Sequence, residues 1–457
     1  MASRMMAFAV ALIIVAAAGL AALYLFGLAG NEAQRGVKLV IVTRLSPEEQ
    51  KDLRQAFLNT SFARNYGIRD IEFMKVPYAE WASLAESGRV DGFLIGEKIV
   101  YDGLCRGGHL AVFDMKKLIE VVESLDPRYR GEASGGGYCW VAVGQAVYGY
   151  IVNKRFLQAH GLPEPETWGS LMNPVYLKPL LENAETVSYP RPSMSGTART
   201  VMHGILQRYG WDRGWELLTV IGMEARIVGS SEKARDQAAE GVVGVAPAYI
   251  GYGIEAEKVG KDAVFEIPRH EGILYLSLAA VAKKAPHPKA MEAFILWLLS
   301  DEGQKALARL YYYIPVRPVK GIEWVERIYN EMKGNLFNYN RTLAERVDLA
   351  ATTYFEAAIA DPDSNALLKE IGSRIARLME EGKMSKEEAE KLLAETGKPL
   401  QIKDPWTGKR TAFTLKYAEA VNSKLQSPKN RQLFYNAVKD AAVARYHEIL
   451  QRLSAGG

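Results

Sequence analysis

From Val37 onward, hydrophobic and polar residues follow two patterns in turn, one typical of buried strands and one typical of helices. The run VKLVIVTR is almost continuously apolar and rich in β-branched residues, which predicts a strand buried on both faces of a parallel sheet. Ser46, Pro47 and two glutamates then mark the start of a helix. DIEFMKVP and VDGFLIGE predict two further strands with helices between them. This alternation predicts an α/β domain.

The carboxyl ends of the predicted strands are the first candidate site. Ligands of open α/β sheets bind where the parallel strands end. The residues at those positions are Thr43, Arg44, Gly96, Glu97 and Lys98.

A second candidate site is a helix start at Ser193 to Thr197, within a segment, VSYPRPSMSGTARTVMHGILQRYG, that is also predicted to contain a strand and a proline-rich turn. Hydroxyl groups and free backbone N–H groups at a helix start can bind an anion or a carbonyl. The alternative is a helix cap that binds no ligand. The candidate residues are Ser193, Ser195, Gly196 and Thr197.

The pattern changes beyond about Gly321. Apolar residues there recur at helical spacing, as in ERVDLAATTYFEAAI and RQLFYNAVKDAAVARYHEILQRL, and no strand is predicted. An all-α extension is therefore expected over residues 321–457.

Residues 5–30 contain no charged side chain. A run of this length can span a bilayer, so an uncleaved N-terminal anchor is expected, with a cleaved signal or a buried helix as alternatives. Arg4 before the run favours a cytoplasmic N-terminus and an extracellular remainder.

Composition and motifs exclude several classes of function. Hydrophobic residues at 48% and charged residues at 24% indicate a folded chain, and a net charge of +4 over 457 residues does not indicate a nucleic-acid surface. The six histidines are dispersed without metal-ligand spacing, and neither a phosphate-binding glycine motif nor a nucleophile elbow is present. We therefore expect neither an enzyme nor a cofactor.

Four motifs in order carry a family resemblance. PETWGSLMNP, SMSGTA, AEGVVGVAPAY and APHPKAMEAFILWLLSDEGQKAL are similar to motifs of the family 1 extracellular solute-binding proteins of ABC importers, in the ferric-iron-like branch. The resemblance runs from about Val37 to Arg317.

The resemblance implies a two-lobed, type II periplasmic-binding-protein fold that closes on a ligand by hinge motion. The expected division is an anchor over 1–33, a first lobe over 34–147 and 272–320, a second lobe over 148–271, and the helical extension. It also implies a monomeric receptor that delivers a solute to ABC permease subunits. Carried over by position, the ligand contacts include Tyr249 and Tyr252.

Two kinds of solute fit these residues. Ferric iron would use the oxygens of Glu97, Tyr249 and Tyr252, but the two tyrosines are not adjacent as in ferric members. Arg44 and Lys98 favour an oxyanion or a phosphorylated compound. The alternative functions are an enzyme on the same scaffold and a sensor or structural surface protein.

Cys105 and Cys139 are the only cysteines of the chain. Both flank glycine-rich turns, and an extracellular setting permits a disulfide between them.

Overall fold

The computed structural model describes residues 36–455. The predicted anchor over residues 5–30 lies outside this range. Among the described residues, no helix combines the length and the apolarity that a membrane span requires.

The strands of the described chain are β1 to β13 in chain order. Their bounds are Val37–Thr43, Ile68–Met74, Gly92–Leu94, Arg130–Glu132, Tyr138–Asn153, Val187–Pro190, Ala225–Val228, Val245–Tyr249, Ala263–Glu266, Gly272–Val281, Leu336–Phe337, Gln401–Lys403 and Arg410–Ala412.

The α-helices are α1 to α18, and short 3-10 helices and one π-helix lie between some of them. The α-helix bounds are Pro47–Leu58, Ser61–Asn65, Trp81–Glu86, Lys98–Arg106, Lys116–Ser124, Lys154–Ala159, Gly196–Arg208, Trp211–Met223, Ser231–Glu240, Ile250–Val259, Pro288–Leu298, Asp301–Tyr311, Glu323–Met332, Arg341–Phe355, Pro362–Glu380, Lys386–Gly397, Leu415–Asn422 and Pro428–Ala455.

The described chain divides into two compact units. Unit 1 runs from the start of the described residues to Gly144 and adds Leu276–Tyr311 and Pro315–Val319. Unit 2 comprises Gln145–Tyr275, Tyr312–Ile314 and the chain from Lys320 onward. The chain therefore passes from one unit to the other inside β5 and inside β10.

Unit 1 contains the predicted α/β pattern. β1 pairs in parallel with β2 on one side and with β3 on the other, and β3 pairs antiparallel with the end of β10. Every residue from Ile41 to Thr43 is buried, as expected of a strand covered on both faces. α1 begins at the predicted cap, where Ser46 and Glu49 form a reciprocal capping box.

Unit 2 has its own sheet. β6 pairs in parallel with β7 and β8, and β8 pairs antiparallel with β5. Helices α7, α8 and α9 belong to this unit, and α7 and α8 contribute to one hydrophobic cluster while α9 contributes to another.

The chain after Lys320 is part of unit 2, whereas the sequence predicted a separate extension from residue 321. One hydrophobic cluster joins its helices to the α/β part of the unit. The ring of Tyr354 stacks on Phe413 at a centroid distance of 4.1 Å and lies 4.4 Å from Trp215 of α8. The apolar faces of these helices need a partner surface, and α8 supplies it.

The predicted all-α character of this region needs a correction, because it contains three short strands. β11 pairs with the start of β10, and β12 pairs with β13. Strands of two or three residues contain too few positions to show a periodic pattern in the sequence.

Candidate functional site

The unit 1 candidates lie at the ends of two neighbouring strands. Thr43 of β1 is paired with Leu94 of β3, so Arg44 and the segment after β3 share one edge of the sheet. The hydroxyl of Thr43 is fully buried and accepts the backbone N–H of Leu45 at 3.2 Å. The exposed guanidinium of Arg44 lies 5.1 Å from the ring centre of Tyr78.

The start of α4 provides the other unit 1 candidates, among which Lys98 already has partners. Lys98 forms an ion pair with Asp102 at 2.7 Å and lies 4.9 Å from the ring centre of Trp140. A side chain at Gly96 would meet the ring of Trp81 at 2.8 Å, so packing explains this glycine without a ligand. Glu97 is half-buried at the N-cap position.

In unit 2, two helices begin next to each other. Ser195 caps α7, and its hydroxyl accepts the backbone N–H of Ala198 at 3.0 Å. The same hydroxyl lies 2.6 Å from the hydroxyl of Ser231, the first residue of α9. Two positive helix ends therefore meet at these serines, a setting that favours a negatively charged group.

The residues after Ser195 differ in exposure. Gly196 is exposed, and no atom lies within 4 Å of the position that its Cβ would take. Thr197 is buried inside the first turn of α7.

The two candidate tyrosines are neighbours at the start of α10. The rings of Tyr249 and Tyr252 lie 4.5 Å apart, and the phenol of Tyr252 donates a hydrogen bond to Glu232 of α9 at 2.5 Å. Burial, followed by the hydrogen bond to Glu232, raises the pKa of the Tyr252 phenol. The hydrogen bond from Tyr252 is the main cause that lowers the pKa of Glu232.

The structure thus brings most of the unit 2 candidates together through α9. We call the group Ser195, Ser231, Glu232, Tyr249 and Tyr252 the α9 junction. Arg235 belongs to the same helix, and its guanidinium lies 5.4 Å from the ring centre of Tyr252.

Sequence reasoning did not assign Ser231, Glu232 or Arg235 to the site. The signal was the pair Ser230 and Ser231 followed by Glu232 at a helix start. A sequence does not state which other helix start lies beside it.

Ser193 has a partner from a distant part of the chain. Its backbone N–H and its hydroxyl both donate to the carboxylate of Glu356, at 3.2 and 2.7 Å. Arg191 donates to the other oxygen of that carboxylate at 2.6 Å. The sequence offered no signal for this contact, because 163 residues separate Ser193 from Glu356.

Cys105 and Cys139 form a disulfide in unit 1, with Cα atoms 6.0 Å apart. Among residues 36–455, no group of three or more histidine, cysteine, aspartate or glutamate side chains is arranged to hold a metal ion.

Comparison with known proteins identifies the class. The profile of the bacterial extracellular solute-binding protein family matches residues 107–331, so this segment is similar to members of that family. The match supports the predicted family. Its members are binding proteins rather than enzymes.

Individual relatives are more distant. The chain is 30% identical over 169 residues to the phosphoglycerate transport regulatory protein PgtC of Salmonella typhimurium, and the same values hold for PgtC of Salmonella typhi. The match covers 37% of this chain and 40% of PgtC, so the chain spans well under half the length of the curated relatives it matches.

Two solved structures illustrate the similarity. A protein of the extracellular solute-binding class from Bordetella parapertussis matches with a TM-score of 0.52 and 16% identity, over 71% of this chain and 97% of that one. AfuA from Actinobacillus pleuropneumoniae, with fructose-6-phosphate bound, gives a TM-score of 0.48 and 16% identity, over 71% of this chain and 99% of AfuA. The first of these likenesses supports the α/β periplasmic-binding-protein fold.

Proposed function

We propose that this chain is the extracellular solute-binding receptor of an ABC importer, and that its solute is a small anion of the phosphorylated class. The observation that carries the proposal is the α9 junction, where the starts of α7 and α9 meet at Ser195 and Ser231. Both helix starts belong to the segment that matches the solute-binding family.

The chemistry of the junction favours an anion over a neutral solute. Each helix start carries backbone N–H groups and a partial positive charge, and serine hydroxyls add donors in the same place. Gly196 leaves open space at the first turn of α7. The resemblance to PgtC, whose name refers to phosphoglycerate transport, supports a phosphorylated solute.

We also propose that Arg44 and Lys98, the candidate cations of unit 1, bind an anion of the same chemical class. Arg44 is exposed, and its guanidinium lies over the ring of Tyr78. The guanidinium can therefore also bind an oxyanion through two parallel hydrogen bonds. Lys98 would have to bind the anion while it also forms its ion pair with Asp102.

Ferric iron is the competing solute. Tyr249, Tyr252 and Glu232 would offer three oxygens in one place, and hard Fe(III) prefers such ligands. However, the phenol of Tyr252 donates a hydrogen bond to Glu232, and the raised pKa of the phenol favours its neutral form over the phenolate that would bind iron. We therefore place iron second.

We further propose that residues 5–30 anchor the receptor to the cell membrane, with the folded units outside the cell. The receptor would act as a monomer and pass its solute to permease subunits. Recovery from cells of a mature soluble form that begins near Asn31 would contradict the anchor.

The most direct test of the solute class is mass spectrometry of molecules that copurify with the extracellular portion. We expect a phosphorylated compound. Calorimetric titration with 3-phosphoglycerate should then show binding, and Ser231→Ala should weaken it by about 1–3 kcal/mol because a hydroxyl donor to a charged group is lost. Ser385→Ala removes a serine hydroxyl at the start of α16, where Ser385 is the N-cap, and is the control for such a loss, with no expected effect on affinity.

A further inference from the structure

Glu356 is a buried carboxylate that connects the C-terminal helices to the loop before α7. It is 8% exposed and begins a single π-helical turn, Glu356–Ala360, between α14 and α15. The family profile ends at residue 331, so Glu356 lies outside the segment that defines the solute-binding family. A π-helical turn inside longer helices is rare and is frequent at functional positions.

Four hydrogen bonds attach this turn to the loop. One oxygen of Glu356 accepts from the guanidinium of Arg191, and the other accepts from the backbone N–H and the hydroxyl of Ser193. Arg191 also donates to the carbonyl of Ala360 at 2.8 Å. Glu356 and Ala360, the two ends of the same turn, therefore hold the loop at Arg191 and Ser193.

Arg191 connects the π-helical turn to the α9 junction through its backbone hydrogen bonds. Its carbonyl oxygen accepts the backbone N–H groups of Met194 and Ser195, each at 2.9 Å. Its own N–H donates to Val228 at the end of β7, also at 2.9 Å. The location of Arg191 thus fixes where Ser195 begins α7, and Ser195 is the residue that meets Ser231.

We propose that Glu356 is a positioning residue for solute binding, which makes the C-terminal helices part of the binding machinery. The proposal rests on the proposed function, because it assumes that the α9 junction binds the solute. Glu356 does not contact the solute in this account. It satisfies the donors of Arg191 and Ser193, so that these groups hold the loop and Ser195 is presented to the solute in one position.

Unit 2 offers a closely matched control. Glu185 is a second buried carboxylate that joins the α/β part of the unit to the C-terminal helices, through Arg226 and Lys369 at 2.8 Å each. The side chains of Glu185 and Glu356 are similarly buried, at 14% and 11% exposure. Glu185 precedes β6, whereas the loop of Arg191 follows β6, so only Glu356 holds the loop.

The experiment compares Glu356→Ala, Glu356→Gln and Glu185→Gln in the full chain. Calorimetry with 3-phosphoglycerate measures affinity, and hydrogen exchange without solute measures protection of residues 191–198. We expect Glu356→Ala to lose affinity by about tenfold or more, since three donors of Arg191 and Ser193 lose their acceptor. We expect Glu356→Gln to lose less, because an amide oxygen still accepts from Ser193.

Exchange in residues 191–198 should become faster by about tenfold in Glu356→Ala and stay unchanged in Glu185→Gln, because local protection follows the local contacts. Glu185→Gln should also keep its affinity. If Glu356 had a merely structural role, the Glu356 variants and Glu185→Gln would lose affinity equally. That result would overturn the proposal. Unchanged exchange in Glu356→Gln and Glu356→Ala would overturn it as well.

Failure of the proposed function gives a different result. If the unaltered chain binds no phosphorylated solute, the choice of solute is wrong, while exchange in the solute-free protein still decides whether Glu356 positions the loop. If Glu356→Ala does not fold, the comparison of Glu356→Gln with Glu185→Gln decides the question with both measurements.

Discussion

The candidate residues of the two units are held in place in different ways. In unit 1 they follow β1 and β3, which are parallel neighbours, so the sheet alone brings Arg44 close to the segment around Gly96. In unit 2 they lie at the starts of α7 and α9, and the loop before α7 is held by Glu356 from the C-terminal helices. A sheet edge is thus a local arrangement, whereas the unit 2 site depends on contacts between residues far apart in sequence.

The largest expected effect tests whether the C-terminal helices share the core of unit 2. Tyr354→Ala removes a fully buried ring that packs on Phe413 and Trp215, and the free energy of unfolding should fall by about 3–5 kcal/mol. Denaturant titration of purified protein measures this loss.

The corresponding change in unit 1 is Phe57→Ala, which removes a buried ring packed on Phe294 and Trp297. A similar loss is expected there. If Tyr354→Ala costs less than about 1 kcal/mol, the C-terminal helices are an appendage and the comparison fails.

This difference between the units explains how far the sequence could predict the molecule. The strand β1, the cap of α1 and the start of α7 at Ser195 were predictable, because each depends on residues within a few positions of one another. The spatial neighbours of those elements were not predictable, because no local pattern indicates that Ser231 lies beside Ser195. Glu356 also looked like any other glutamate in a helical stretch.

A second prediction concerns the hydroxyl groups at α7. The double change Ser195→Ala and Thr197→Ala should weaken binding of 3-phosphoglycerate by about 1–3 kcal/mol, if hydroxyl donors to a charged solute are lost. Calorimetry measures the effect. Affinity equal to that of the unaltered chain would show that Ser195 only caps the helix, as Ser46 does at α1.

A smaller effect concerns pH and two buried carboxylates of unit 2. Glu224 is fully buried, neither of its oxygens has a hydrogen-bond partner among the described residues, and burial raises its pKa well above the ordinary value. Its contribution to stability is therefore complete below the pKa of the unfolded state and is lost as the pH rises toward the folded pKa. Glu224→Gln should raise the melting temperature at pH 8 and change it little at pH 4.

Glu185 has the opposite dependence. Burial alone would raise its pKa, but hydrogen bonds and charge from Lys369 and Arg226 lower it overall. Its contribution is present above the unfolded pKa and is lost as the pH falls through the folded pKa. Glu185→Gln should therefore lower the melting temperature at pH 7 and have little effect at the acid end. Parallel pH profiles for the two variants would contradict these assignments.

The central claim is that the α9 junction binds an anion rather than iron. Its most direct test is a titration of the purified extracellular portion with 3-phosphoglycerate and, separately, with ferric citrate, followed by calorimetry and visible absorption. We predict heat of binding with the phosphorylated compound, weaker binding in Ser231→Ala, and no visible band with iron. A charge-transfer band on adding ferric citrate, abolished by Tyr252→Phe or Tyr249→Phe, would contradict the account.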